Sequence, residues 1–466
     1  MMTLQQARDW IAAGQLSAVL VGDEQTRINR VHTDTRTLRS GDLFVALKGE
    51  HFDANDFLAQ AKGSGASAAI AHHGLRMADL PGLEVSDSRL ALGQLATGWR
   101  SQFDLPLIAV TGSNGKTTVT QMIASILRAW KHEAAFSTEG NFNNDIGVPL
   151  TLLRLKSAHQ VGVVELGMNH PGEIAYLSGL TRPAIALVNN AQREHLEFMA
   201  SVEAVALENG SVIESLDPKG VAVFPADDHY TPVWRKIAGS RRVCTFAIEG
   251  PADVTADANW GGKNWQVRAV TPSGPVEFTL AIAGRHNVKN ALAATACAVV
   301  AGVPLASIAI GLSAFVPIKG RSRAAQVTVQ GRLLTLVDDT YNANPDSMRA
   351  AIDVLSELPG PHLLVMGDMG EVGDHGPQFH AEAGFVAHER GIEKLFTLGT
   401  QSAHAVSSFG HGRHFSDIDA LNRAVLAELP QLGSVLVKGS RFMKMERVVQ
   451  AITATQPPNP GAPHAA

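Results

Sequence analysis

The stretch TGSNGKTT, residues 111–118, sets two glycines, a lysine and a pair of threonines directly after the apolar run 107–110. Such a run reads as a buried strand, and the glycine-rich segment after it reads as a loop opening into a helix. A loop of this kind turns its backbone N–H groups into one concavity, and the helix adds its positive end, which together seat a phosphate. Gly112 and Gly115 let the backbone approach the oxygens without a Cβ in the way, and Ser113, Asn114 and Thr118 complete the nest. Lys116 offers its charge to the terminal phosphates, and the Thr117 hydroxyl is a ligand for Mg²⁺. The full Walker A spacing has a glycine where Val110 stands, so the match is to the shorter T-G-x-x-G-K-T form. The competing reading is a glycine turn with an incidental lysine.

A magnesium ion takes oxygen ligands and keeps several waters. Glu165 closes the apolar strand 161–164, at the carboxyl edge where parallel sheets place their ligands, so its carboxylate can meet a metal held by Thr117. His195, in NNAQREHLE, follows the strand 185–188 at the same edge and is a further candidate for the metal or the reaction. A surface or satisfied core histidine is the plain alternative. Cys244 and Cys297 are the only two cysteines, too few for a disulfide framework or a structural zinc site; both read as core filling.

These residues need elements to carry them. At 466 residues the chain exceeds one core. Its 45% hydrophobic and 18% charged content is that of a globular protein, and a net charge of -5 argues against a nucleic-acid partner. Short apolar runs alternate with helical stretches, which predicts α/β architecture with parallel strands. Strands are expected at 42–47 and 67–72, then at 107–110, 161–164, 185–188 and 220–225, with a long helix at 286–303. Further strands are expected in LLTLVDD, HLLVMGD, EKLFTLG and SVLVKGS. WRSQFDLP, 99–106, reads as a linker, and FVPIKGRSR, 315–323, as a second boundary. The expected domains are 1–101, 102–316 and 317–454, with a disordered, proline-rich tail at 455–466. The N-terminus has no apolar signal region, and the longest apolar stretch is too short for a bilayer, so a soluble cytoplasmic protein is expected.

Nine segments in order resemble the Mur ligase superfamily over nearly the whole chain. They are HTDTRTLRSGDLFVALKGEHFDANDF, TGSNGKTT, TEGNFNNDIGVPLTLL, ELGMNHPGEI, NNAQREHLE, GRHNVKNALAA, DDTYNANPDSMRAAI, VMGDMGEVG and VKGSRFMKME. NNDIGVP, ELGMN and YNANPDSM resemble most the members that add D-alanyl-D-alanine; the DNPR segment of the diaminopimelate-adding members is absent. The resemblance implies a small N-terminal α/β UDP-binding domain, a central P-loop ATPase-like parallel sheet and a C-terminal Rossmann-like domain. It implies an ATP-dependent amide ligase of peptidoglycan precursor synthesis. ATP phosphorylates the terminal carboxylate of UDP-N-acetylmuramoyl-tripeptide, the amine of D-alanyl-D-alanine attacks the acyl phosphate, and an amide, ADP and phosphate result. Mg²⁺ is the implied cofactor, those two molecules are the implied substrates, and a monomer without a membrane span is expected.

Residue by residue, the resemblance assigns catalysis to Lys116, His195 and Arg321, and a metal to Thr117, Glu165 and His195. ATP would meet the loop 112–118, Asn287 or, preferably, Asn290, and then Arg321, Asp339, Tyr341 and Asn344. For Asn287 a helix N-cap role is the alternative. Thr138, Asn141, Asn143, Asn144 and Asp145 would face the sugar-peptide, or serve as turn residues. Thr33, Asp34, Arg36, Lys48, Asp53 and Asn55 would serve the UDP group, with Ala54-Asn55 standing where relatives often have Gly-His. Lys438, Ser440 and Arg441 would hold D-alanyl-D-alanine or the closed interface. Many members carry a carbamylated lysine bridging to a second Mg²⁺. Asn209 stands at that position and no lysine occurs from 157 to 218, so Asn209 is expected to ligate or hydrogen-bond directly, without need of bicarbonate. The alternatives are a sister ligase, such as a folylpolyglutamate-type one, a regulatory or motor P-loop ATPase, and a non-catalytic UDP-sugar binder.

Overall fold

A computed structural model describes residues 1–49 and 52–454. The expected tail, 455–466, lies outside the described residues. The chain is α/β throughout, built on three mainly parallel sheets.

The N-terminal sheet has five strands in the order Ala18–Val21, Gly82–Val85, Ala68–Ala71, Asp42–Val45 and Arg30–His32. The first pair is antiparallel and the rest are parallel. Ala68–Ala71 and Asp42–Val45 are buried at every position, as strands covered on both faces must be.

The central sheet has six parallel strands in the order Arg242–Phe246, Val221–Pro225, Ile185–Val188, Leu107–Thr111, Val161–Glu165 and Ala135–Ser137. Leu107–Thr111 comes first in the chain yet lies between two later strands. Connections therefore leave it in both directions, and a crevice opens at its carboxyl end. The loop 112–115 and the helix Lys116–Lys131 start there.

The C-terminal sheet runs Arg323–Val329, Arg332–Asp339, Ser434–Lys438, His362–Gly367, Lys394–Leu398 and Arg413–Phe415. Its first two strands form an antiparallel hairpin over Gln330 and Gly331, both at positive φ. Ser434–Lys438, last in the chain, inserts between two earlier strands, so this sheet also has a crevice at its carboxyl edge.

Two segments differ from the sequence reading. Residues 99–106 are not a loose linker. The helix Ser88–Arg100 runs into them, and Trp99 donates its indole N–H to the Leu155 carbonyl. The buried Arg100 donates to the carbonyls of Thr181, Phe103, Leu105 and Arg182. One apolar cluster joins Leu92 and Leu95 of that helix to Leu107, Val164 and Val188 of the central sheet. The second difference is a three-stranded antiparallel sheet, Thr255–Trp260, Trp265–Thr271 and Gly274–Leu280, that was not expected. Its middle strand alternates buried and exposed residues, the mark of a sheet with one face on the core. The helix Arg285–Val300 begins where that sheet ends.

Candidate active site

The carboxyl edges of the central and C-terminal sheets line one cavity of about 1040 Å³. The phosphate loop forms its floor. Gly112 and Gly115 take φ of +134° and +81°, and a Cβ on Gly115 would lie 2.6 Å from Asn290 Oδ1. Side-chain amides clasp the loop from below. Asn114 N donates to Asn190 Oδ1 at 2.9 Å, and Asn189 Nδ2 donates to the Asn114 carbonyl at 2.8 Å and to Asn290 Oδ1 at 3.0 Å. Asn344, from the C-terminal domain, donates to Asn114 Oδ1 at 2.9 Å. The loop backbone is thus held in shape by protein groups before any phosphate arrives.

Lys116 Nζ donates to the carbonyls of Gly112 and Ser113 and to the Glu194 carboxylate. Thr117 Oγ1 donates to Glu165 Oε1 at 2.9 Å, and Asn143 Nδ2 donates to the same oxygen at 2.8 Å. Glu165 is 1% exposed, and its other carboxylate oxygen is buried with no protein partner. A buried anionic oxygen left over beside a threonine hydroxyl is what a hard cation needs, so Thr117 and Glu165 fit Mg²⁺. Among the described residues no group of three or more His, Cys, Asp or Glu is spaced to hold a metal alone. A cation here would complete its sphere with phosphate oxygens and water.

His195 sits at φ +52° ahead of the short helix Leu196–Met199. Its Nδ1 is 2.6 Å from Glu371 Oε2, and its Nε2 is 3.5 Å from Glu194 Oε1. Burial works against its charge, but the two carboxylates prevail and raise its pKa to about 9. With both ring nitrogens facing carboxylates, His195 sits in an ion-paired setting on the cavity wall.

The C-terminal wall brings the Arg321 guanidinium carbon over the Tyr341 ring, 3.9 Å from its centroid. Asp339 accepts from Ser322 N at 2.9 Å and from Lys438 Nζ at 2.6 Å. Burial would raise the Asp339 carboxyl, but Lys438 holds it below the usual carboxylate range. Lys438 is thus engaged with Asp339 and with the Asn342 carbonyl in the loop after it. Ser440 accepts from Gly370 N at 2.6 Å, and Arg441 lines the cavity beside its partner Glu446. Across the domain junction Arg193 reaches two carboxylates, Asp346 at 2.7 Å and Glu382 at 2.8 Å. The guanidinium pKa is raised, first by the Glu382 hydrogen bond.

Of the residues singled out in the sequence, the cavity gathers 113–118, Asn141, Asn143, Asn144, Asp145, Glu165 and His195. It also gathers Asn287, Asn290, Arg321, Asp339, Tyr341, Asn344, Lys438, Ser440 and Arg441. Others lie elsewhere. Thr138 is buried and accepts from Glu165 N, so it braces the carboxylate from behind. Asn209 is fully buried under the strand Leu107–Thr111, where its Oδ1 accepts from the Thr111 hydroxyl at 2.7 Å; it is not on the cavity wall. The neighbouring Glu208 caps the helix Glu173–Thr181 from the other side, accepting from Gly172 N and Ile174 N. Gly284, not Asn287, is the N-cap of the helix Arg285–Val300; Asn287 lies inside it and donates to the Ala283 carbonyl.

The six first-domain residues, Thr33, Asp34, Arg36, Lys48, Asp53 and Asn55, are outside this cavity. Asp34 accepts from Arg36, which draws its pKa down to about 2, and Lys48 lies 3.7 Å from Asp53. Asn55 is buried, donating to the His73 carbonyl and accepting from His72 N, so its amide is used inside the domain. Sequence reasoning missed Glu194, Arg193, Asn189 and Glu371. The signal for the first two was present: QREHLE packs three carboxylate or guanidinium groups around His195.

Three family models match in order: Mur ligase family, catalytic domain, over residues 27–100; Mur ligase middle domain over 110–298; and Mur ligase, glutamate ligase domain, over 322–441. The chain is 43% identical to the UDP-N-acetylmuramoyl-tripeptide–D-alanyl-D-alanine ligase of Escherichia coli K12, over 95% of this chain and 98% of that one. It is 33% identical to the ligase of the same name from Bacillus subtilis 168, over 92% and 93%. Among solved structures it is similar to MurF from Acinetobacter baumannii, with TM-score 0.89 and 36% identity over 97% of this chain and 99% of that one. It is also similar to the MurF ligase of Thermotoga maritima in complex with ADP, with TM-score 0.81 and 26% identity over 93% and 99%. With a phosphate loop, a paired carboxylate and a facing C-terminal wall in one cavity, and relatives matched over nearly its full length, the chain belongs to the Mur ligase family.

Proposed function

We infer that this chain is an ATP-dependent ligase that joins D-alanyl-D-alanine to UDP-N-acetylmuramoyl-tripeptide in peptidoglycan precursor synthesis, in the cytoplasm. The observation that carries the reading is the cavity itself: the lysine of a phosphate loop, a threonine–carboxylate pair and the arginine of a second domain all face one volume.

A carboxylate is a poor acylating agent, so the reaction needs two steps. An oxygen of the tripeptide carboxylate attacks the terminal phosphorus of ATP, and the bond to ADP breaks. The amine nitrogen of D-alanyl-D-alanine then attacks the carbonyl carbon. The tetrahedral adduct loses phosphate, and the nitrogen loses a proton. The first step brings anions together, and the residues here answer that need. Loop N–H groups and Lys116 offset the phosphate charge. Thr117 and Glu165 would hold Mg²⁺, which supplies further positive charge to phosphate oxygens when bound. Arg321, stacked on Tyr341, presents a cation from the opposite wall, and protonated His195 adds another near Lys116. Asn287 and Asn290 sit beside the loop for the nucleotide. Asn141, Asn143, Asn144 and Asp145 line the side of the cavity suited to the peptide acid, and Arg441 and Ser440 the side suited to the amine. The UDP group falls to the first domain.

The test is substrate omission. Full-length protein with ATP and Mg²⁺ should release ADP only when both tripeptide and D-alanyl-D-alanine are present, and the product mass should equal their sum less one water. ADP release with either substrate withheld would favour a switch ATPase. Lys116→Ala should abolish turnover; unchanged turnover would overturn the role of the loop.

A further inference from the structure

The ammonium of Lys116 has three hydrogens and four acceptor oxygens. Two acceptors are carbonyls of its own loop, Gly112 at 2.6 Å and Ser113 at 3.0 Å. The other two are both oxygens of Glu194, at 3.0 and 3.2 Å. The Glu194 side chain is only 10% exposed, and its Oε1 also lies 3.5 Å from His195 Nε2. A carboxylate therefore occupies the loop lysine on the wall of the phosphate cavity. That ammonium is the one a phosphate would seek. The loop carbonyls are fixed by the fold, so the donor that can change partner is the one pointing at Glu194.

We propose that Glu194 is a built-in competitor for the loop lysine, displaced by nucleotide phosphate on binding and reclaiming Lys116 as ADP leaves. This rests on the nucleotide reading of the loop and adds to it a residue that sets affinity and release. Two anions cannot both take the third donor, so nucleotide binding carries the free energy of breaking this largely buried pair. The arrangement does not suit a metal ligand, since both Glu194 oxygens are turned to the ammonium. The backbone around Glu194 is also fixed: Glu194 N donates to the Gln192 carbonyl, and the preceding Arg193 is tied to the C-terminal domain. Displacement is then a side-chain rotation and needs no loop movement.

The experiment is calorimetric titration of ADP, in EDTA and again with Mg²⁺, on the full-length wild type, Glu194→Gln, Glu194→Asp, Lys116→Ala and the double variant Lys116→Ala/Glu194→Gln. Weaker binding to Lys116→Ala than to wild type establishes the loop as the nucleotide site, independently of Glu194. The proposal expects Glu194→Gln to tighten ADP about tenfold and slow its dissociation, through loss of one competing charge. Glu194→Asp, which keeps the charge, should stay near wild type. In the Lys116→Ala background the gain should fall below about twofold, because the contested donor is gone. Equal gains in both backgrounds, or no gain from Glu194→Gln, would overturn the proposal. So would a loss of ADP affinity in Glu194→Gln seen only with Mg²⁺ present, which would make Glu194 a metal ligand.

Discussion

Glu165 is where function and stability should separate. Its Oε1 accepts from Thr117 and Asn143 at 2.9 and 2.8 Å, while Oε2 is buried with no protein partner. Glu165→Gln can keep the first oxygen as acceptor. Turning two charge-assisted hydrogen bonds into neutral ones costs about 1–1.5 kcal/mol each. Removing a buried, partly uncompensated charge returns about 2–4 kcal/mol. The amide that replaces the unpartnered oxygen adds a cost of about 1 kcal/mol, so Glu165→Gln should lose no more than about 2 kcal/mol, a shift of about 4–8 °C at most for a domain of this size. Glu165→Ala removes the acceptor and strands the Thr117 hydroxyl and the Asn143 amide, for a loss of about 2–4 kcal/mol. Activity should follow a different order. Both variants lose the anionic oxygen offered to Mg²⁺, and kcat/KM should fall about 10²–10³-fold in each. Thermal unfolding without ligands and coupled ADP release with saturating Mg²⁺ read the two quantities. The reasoning fails if Glu165→Gln melts as low as Glu165→Ala, or if either variant turns over normally.

Three other outcomes are expected. Arg193→Ala should weaken attachment of the C-terminal domain by about 1–3 kcal/mol, since its partners are only partly exposed; X-ray scattering should show a larger radius of gyration, and Asp346→Asn on top should add little. The His195 pKa is raised to about 9 from an ordinary value of about 6.5, so the charged pair with Glu371 stabilises fully below about 6.5 and is lost as pH climbs through about 9. Thermal midpoints of wild type and Glu371→Gln should therefore converge from pH 7 to 10, and parallel curves would count against the pairing. Because Asn209 bonds Thr111 beneath the sheet, enzyme dialysed free of CO₂ should keep its turnover, and rescue of lost activity by bicarbonate would contradict that.

Much of the cavity was legible because its parts are local. A strand, a glycine-lysine loop and a helix read in one window, and Glu165 is recognisable from its place at a strand end. Other residues act through partners far along the chain, and no window contains both. Asn114 meets Asn344, Arg193 meets Asp346 and Glu382, and His195 meets Glu371. Lys438 reads as a residue for D-alanyl-D-alanine or the closed interface, and its partner Asp339 lies 99 residues away along the chain. The alternative reading of Asn287, as a cap, falls because the helix begins earlier, at Gly284. The sheet Thr255–Leu280 escaped notice because its first strand, TADANW, has no clear apolar alternation. The run 99–106 looked like a linker because its punctuation is real, but a buried guanidinium spends itself on four carbonyls there.

That guanidinium has an engineering consequence. Arg100 belongs to the first domain by sequence, yet two of the carbonyls it satisfies, those of Thr181 and Arg182, belong to the central one. Cutting the chain at residue 101 would leave those acceptors dry and expose the shared apolar seam on both pieces. Grafting a foreign first domain would therefore have to carry the helix Ser88–Arg100 along with its docking face.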